Sequence, residues 1–473
     1  MARDDRDRPA LPWIGVAPGA PYFVDEDGRP FTPIGQNDAI SWVEFEGLFR
    51  RRDLPAVERH LAYLIDHGVN TLRLMVEYAQ VRHRYFERPA GVFPPNMVQL
   101  WDDLFALCER AGMRILWTPV DTFWMWLHWR HHPWNRAMGG PLRHPSELLT
   151  CPETRVAIKR RLSFMVERWG GSGALFAWDL WNEIHPAQAG DSADCFPEFI
   201  ADLSHHVRDL ETRLYGRSHP QTVSLFGPEL WWRPELPLPE PIFRHPDLDF
   251  ASIHIYRERS IDDPKNTVAP AVAMGKVVRD CLHEITDARP FLDTEHGPIH
   301  SFKDKKKTLP APFDDECFRH TAWAHLASGG AGGGMRWPNR RPHTLTPGMR
   351  EAQRAMAGFL PLIDWTRFRR RNLSGAVGAT HFHRFACGDD AQALVWLLRR
   401  RALGPDGRIR ADVEPVAPTV SVPGLEAGRY RITGWDTAAG RVVEELTADA
   451  RDGALRFTPA PIGPDRAFAI RRA

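Results

Sequence analysis

The stretch FAWDLWNEIHP, residues 176–186, begins as an apolar strand and ends in charge. Its alternation is rough, and both faces read as apolar as far as Asn182 and Glu183. A strand buried on both faces belongs to a parallel sheet, because helices cover both sides of such sheets. Burying a carboxylate is costly unless a partner or a task keeps it there. The stretch therefore raises two questions: which sheet holds it, and what Glu183 meets at its end.

Working outward, the same rhythm recurs. Residues 54–68, LPAVERHLAYLIDHG, have helical apolar spacing and stop at Gly68. Residues 97–112, 154–170, 196–216, 271–288, 314–330 and 346–363 read as further helices. Between them lie apolar strands at 31–37, 69–78, 113–123, 176–183, 222–229, 249–256, 289–298 and 332–338. A Pro-rich connection with little helix signal joins the fifth strand to the sixth. Eight strands alternating with helices predict a closed (β/α)8 barrel. The rival is a doubly wound open sheet, but no G-x-G-x-x-G follows the first strand. Near the N-terminus, YFVDEDGRPFTPIGQND (22–38) reads as two short strands around an Asp-Gly turn. After about residue 370 the pattern changes to short strands punctuated by turns, which predicts a small C-terminal antiparallel β-sandwich. The expected division is a disordered tail over 1–12, a catalytic barrel over 13–368 and the sandwich over 369–473.

Composition narrows the partners. Sixty-one basic residues balance 60 acidic ones, so the surface is not built for nucleic acid or an anionic membrane. The six cysteines are scattered without a C-x-x-C pair and read as free thiols. No apolar run follows the charged N-terminus and none of 18 residues occurs anywhere, so we expect a soluble, cytoplasmic protein. Eighteen tryptophans suit both cores and sugar faces and decide nothing alone.

Barrel chemistry sits at the C-terminal ends of the strands. Strand two brings Arg73 and Glu77, strand three Asp121, strand four Asn182 and Glu183. Strand six brings His254 and Tyr256, strand seven Glu295, His296 and Gly297, strand eight Trp337. Two carboxylates at strands four and seven match the needs of glycoside hydrolysis, where one carboxyl stays protonated and the other ionised. Arg73 and Tyr256 would keep Glu295 ionised; Glu183, among tryptophans and beside an anion, would stay protonated. That makes Glu183 the acid/base and Glu295 the nucleophile. Asn182 would bond the sugar 2-hydroxyl, and Trp337 would floor the subsite of the sugar being cleaved. Each residue also has a plain structural reading, as a salt-bridged acid, a core histidine or a packed ring; the ordered set is what argues for a site.

The set resembles the clan A glycoside hydrolases, closest to family 5, the cellulase and mannanase family. The matching residues are Arg73, Asn182-Glu183, His254-Ile255-Tyr256, Glu295-His296-Gly297 and Trp337, over about residues 20–365. The resemblance implies a retaining double displacement on carbohydrate with no metal and no organic cofactor. Two departures stand out: Ile184 follows Asn-Glu where the family has Pro, and Asp121 ends strand three where many members have His nearby.

FWMWLHWRHHPW (123–134) is either a lid that narrows the cleft and stacks on sugars, with Trp124 a candidate contact, or a packed rim loop. A lid would favour exo action on short substrates. The spacing of His128, His131 and His132 matches no zinc pattern. The KDKKK run (303–307) reads as a solvated loop, and GGAGGG (329–334) as tight turning before a strand. The rival function is a catalytically silent carbohydrate-binding barrel, which both carboxylates argue against.

Overall fold

The computed structural model describes residues 10–76, 85–299, 308–338 and 343–473. Glu77, the 303–307 run and most of the expected N-terminal tail lie outside them, as does the Trp124 side chain.

The expected barrel is present. Its strands are Gly35–Asp38, Thr71–Met75, Arg114–Thr118, Leu175–Asp179, a split fifth strand, Ala251–Ile255, Phe291–His296 and Met335–Arg336. The fifth breaks at Val223: Gln221–Thr222 pairs with strand four and Ser224–Phe226 with strand six, which closes the ring. Strands two, three, four, six and seven are buried throughout, as apolar runs covered on both faces must be.

Helices fall where the apolar spacing placed them. Leu54–Asp66 is capped by Asp53, which accepts from the Ala56 N–H at 3.0 Å, and it buries Val57, Leu61 and Leu64. The Pro-rich connection after strand five holds only a short helix, Glu229–Trp232, and one wide turn, Glu240–Arg244.

Two boundaries differ from expectation. Phe31 belongs to an N-terminal three-stranded cap (Ile14–Val16, Phe23–Asp25, Pro30–Phe31), not to barrel strand one. Phe23 of that cap packs edge-on against Phe176 and Phe250 and so plugs the bottom of the barrel. Strand four ends at Asp179, so Asn182 and Glu183 sit on the turn beyond it.

The C-terminal region is an eight-stranded antiparallel sheet folded over its own apolar core, which includes Phe382, Val395, Val420, Ile432 and Phe468. Its two edges approach at the Gly378–Ser421 bridge. The outer face docks on two barrel helices, Ala311–Ala327 and Pro347–Phe359. Trp435 meets Phe359 at 6.0 Å, Trp396 meets His320 at 5.7 Å, and Arg319 donates to Asp465 at 2.6 Å. No helix among the described residues is long and apolar enough to cross a membrane.

Candidate active site

Arg73 is the centre of the barrel mouth, and its guanidinium is fully buried. It donates to Asp179 at 2.7 and 3.2 Å, to Glu295 at 3.0 Å, to Asn37 at 2.8 Å and to Asn182 at 2.6 Å. A buried charge of this kind is tolerable only when it is paired and its donors are satisfied, as here. Asp179 is equally buried and also accepts from the Ser224 N–H and hydroxyl, at 3.0 and 2.9 Å.

Glu295 stands at the end of strand seven. Its Oε2 receives Arg73, and its Oε1 receives the Tyr256 hydroxyl at 2.5 Å. Burial pushes this carboxyl above the usual range, and Arg73 and the Tyr256 hydrogen bond pull the other way. Burial also lifts the Tyr256 phenol well above its ordinary range, so that group remains a donor.

Among the described residues, the close partner of the Glu183 carboxylate is a histidine, not a guanidinium. His254 Nδ1 lies 2.7 Å from Glu183 Oε1 and 3.8 Å from Glu295 Oε2, between the two carboxylates. One oxygen of each carboxylate and a His254 nitrogen all lie within 4.8 Å of one another. Burial raises Glu183 to about 7, against the pull of Arg73 and His185 and with a further push from Asp179 and Glu229. Burial lowers His254 to about 4, so the imidazole is neutral at pH 7. Trp178 reaches outward to Glu211 and Trp181 to Gln188, at 2.9 and 3.2 Å.

Glu183 adopts φ +51°, a left-handed conformation that is strained for a residue with a side chain and recurs at functional sites. Neighbours hold it there. Thr122 Oγ1 donates to the Asn182 carbonyl at 2.5 Å, and the Glu183 N–H donates to Ser224 Oγ at 3.2 Å. The Ile184 N–H donates to the Ser224 carbonyl at 2.9 Å, a bond that proline could not make. The departure at 184 thus has a local structural use.

The remaining predicted residues fall around this pair. Asn182 spends its Oδ1 on Arg73, leaving the amide NH2 to donate, and it bridges to buried Asp121. Trp337 follows strand eight, half-buried and edge-on to Trp42 at 5.3 Å. The sequence reading missed Asp179, Asn37, Thr122 and Ser224. The one available signal was an aspartate inside an otherwise apolar strand.

The tryptophan-rich segment is both anchored and exposed. Trp134 is buried; its Nε1 donates to Glu87 at 2.9 Å, and Glu87 pairs with Arg161 at 2.7 Å. Phe123, Trp126 and Leu127 stay exposed. His131 accepts from Arg130, and His132 stacks on Trp129. Two triplets among the described residues are spaced to hold a cation: Glu183–His254–Glu295 itself, and Asp38–Glu44–His60. In the second, the positive charge of Arg350 acts on both carboxyls. Neither includes His128, His131 or His132.

The chain has the fold of family 5 glycoside hydrolases. A structure described as a glycoside hydrolase aligns over 98% of this chain and 99% of its own, at TM-score 0.62 and 12% identity. A family 5 structure from Bacteroides vulgatus ATCC 8482 aligns over 98% and 95%, at TM-score 0.63 and 12% identity. A GH5_18 variant from Streptomyces cattleya in complex with Manβ1-4GlcNAc aligns over 70% and 81%, at TM-score 0.50 and 15% identity. No family model matches the sequence, and no curated protein matches it.

Proposed function

We propose that the protein is a retaining glycosidase acting on β-linked gluco- or manno-configured glycosides or oligosaccharides. The observation that carries this reading is the carboxylate pair. One oxygen of Glu183 lies within 4.8 Å of one of Glu295, a close approach that accommodates the roughly 5 Å carboxyl separation of retaining enzymes. Their surroundings differ in the required sense. Glu295, whose two oxygens accept from Arg73 and Tyr256, attacks the anomeric carbon. Glu183, raised to about 7, gives its proton to the leaving oxygen and then takes one from water. Asn182 donates to the sugar 2-hydroxyl. Neutral His254 keeps Glu183 oriented without adding positive charge, which would drain its proton.

The test is a panel of β-linked aryl glycosides given to wild type, Glu183→Ala and Glu295→Ala, each with azide. Glu295→Ala should yield an α-glycosyl azide and Glu183→Ala a β-glycosyl azide. Identical anomers from both variants would refute the assigned roles, and an inactive wild type would remove the glycosidase reading.

A further inference from the structure

Strand five leaves the barrel at Phe226 and turns at once into the helix Glu229–Trp232. This turn lies hard against the site. The Gly227 N–H donates to the His254 carbonyl at 2.9 Å, and a Cβ at Gly227 would come within 2.5 Å of that oxygen. Glu229, nearly buried, meets His185 Nε2 at 3.3 Å, two residues beyond Glu183. The helix is therefore fastened to the segments that carry both His254 and Glu183.

Its last residue is left in the open. Trp232 is 55% exposed. An exposed indole forgoes the burial that normally stabilises so large an apolar ring. The ring is also part of a row: Trp232 packs on Phe226 at 5.9 Å, and Phe226 on Tyr256 at 5.5 Å, whose hydroxyl holds Glu295. Beside it, the Arg257 guanidinium lies 4.3 Å over the Trp231 ring. Three rings thus run from the proposed nucleophile outward to solvent.

The strand order says which side of the site this is. Strand five lies next to strand four, which leads to Glu183, and Trp337 follows strand eight, across the barrel from strand four. In a double displacement the acid/base residue protonates the departing oxygen, so the leaving group lies on the Glu183 side. The sugar that is transferred lies on the Trp337 side.

We propose that Trp232 is the platform of a leaving-group subsite and stacks on the pyranose ring of a sugar aglycone. The flat apolar face of a β-linked pyranose suits an indole held open in this way. The proposal rests on the glycosidase reading and extends it to substrates with at least two sugars.

The test compares wild type, Trp232→Ala and Trp232→Phe on two kinds of donor with the same glycone. One is the β-glucosyl or β-mannosyl fluoride, whose leaving group is a single atom. The other is cellobiose or β-1,4-mannobiose, whose leaving group is a sugar. In Trp232→Ala the ratio of kcat/KM on disaccharide to that on fluoride should fall about 10- to 200-fold, the range of a single pocket contact. Trp232→Phe should keep most of the ratio. A ratio that Trp232→Ala leaves unchanged overturns the proposal. Turnover of fluoride by wild type tests the glycosidase reading separately. If wild type hydrolyses neither donor, calorimetric titration with the disaccharides decides the subsite: weaker binding to Trp232→Ala supports it, and equal or absent binding in both proteins overturns it.

Discussion

Replacing Glu183 by glutamine should stabilise the protein above neutral pH and leave its stability unchanged in acid. The group's ordinary value is 4.5, and burial holds it at about 7 in the folded chain. A carboxyl raised in the native state binds its proton more tightly there than in the unfolded chain. Its contribution to stability is therefore full below pH 4.5 and is lost as the pH climbs through 7. The shift of about 2.5 units corresponds to roughly 3 kcal/mol at about 1.4 kcal/mol per unit. The side chain keeps 16% of its surface exposed, so that figure is an upper bound. Glutamine matches the volume and never ionises. For 473 residues, at about 2.1 cal/mol/K per residue, the melting entropy is about 1 kcal/mol/K, so the gain is up to about 3 °C. Melting curves of wild type and Glu183→Gln from pH 4.5 to pH 9 supply the test. Burial also lifts Glu44 and Asp262 to about 7, but both are present in each protein and cancel in the difference. A melting difference independent of pH, or a variant less stable than wild type at pH 8, refutes the picture of a desolvated acid.

Arg73→Met should behave oppositely. It leaves Asp179 and Glu295 buried without their cation, and thermal or denaturant unfolding should show a loss of about 3–5 kcal/mol together with loss of turnover. Removal of residues 371–473 should yield insoluble protein, because Phe359 and His320 of the barrel helices lose the cover of Trp435 and Trp396; a monodisperse soluble barrel would speak against that role. Hydrolysis should survive exhaustive chelation, since proton transfer and attack are both assigned to side chains. A loss restored by added metal would instead put a cation on the Glu183–His254–Glu295 triplet.

The barrel was legible because its evidence is local and repeated. Strands two, three, four, six and seven read as largely apolar runs, and helices with three- and four-residue spacing separate most of them. The candidate site was legible for a related reason: strand ends at the barrel mouth converge, so Arg73, Glu183, His254, Tyr256 and Glu295 could be gathered without knowing any distance. What stayed hidden depended on register and direction. Strand one begins four residues later than its apolar pattern suggests, and Asn37, within it in either reading, carried no signal in sequence that it meets Arg73. Trp178 and Trp181 flank the Glu183 turn in sequence, yet their indole N–H groups donate to Glu211 and Gln188, partners that proximity along the chain did not suggest. Ser224 was the least visible. It lies at the break in strand five, bonds Asp179 through its N–H and hydroxyl, receives the Glu183 N–H on that same oxygen, and takes the Ile184 N–H on its carbonyl. A split strand thus supplies the clamp for a strained turn, and the family's proline is replaced by a hydrogen bond that only another residue type can donate.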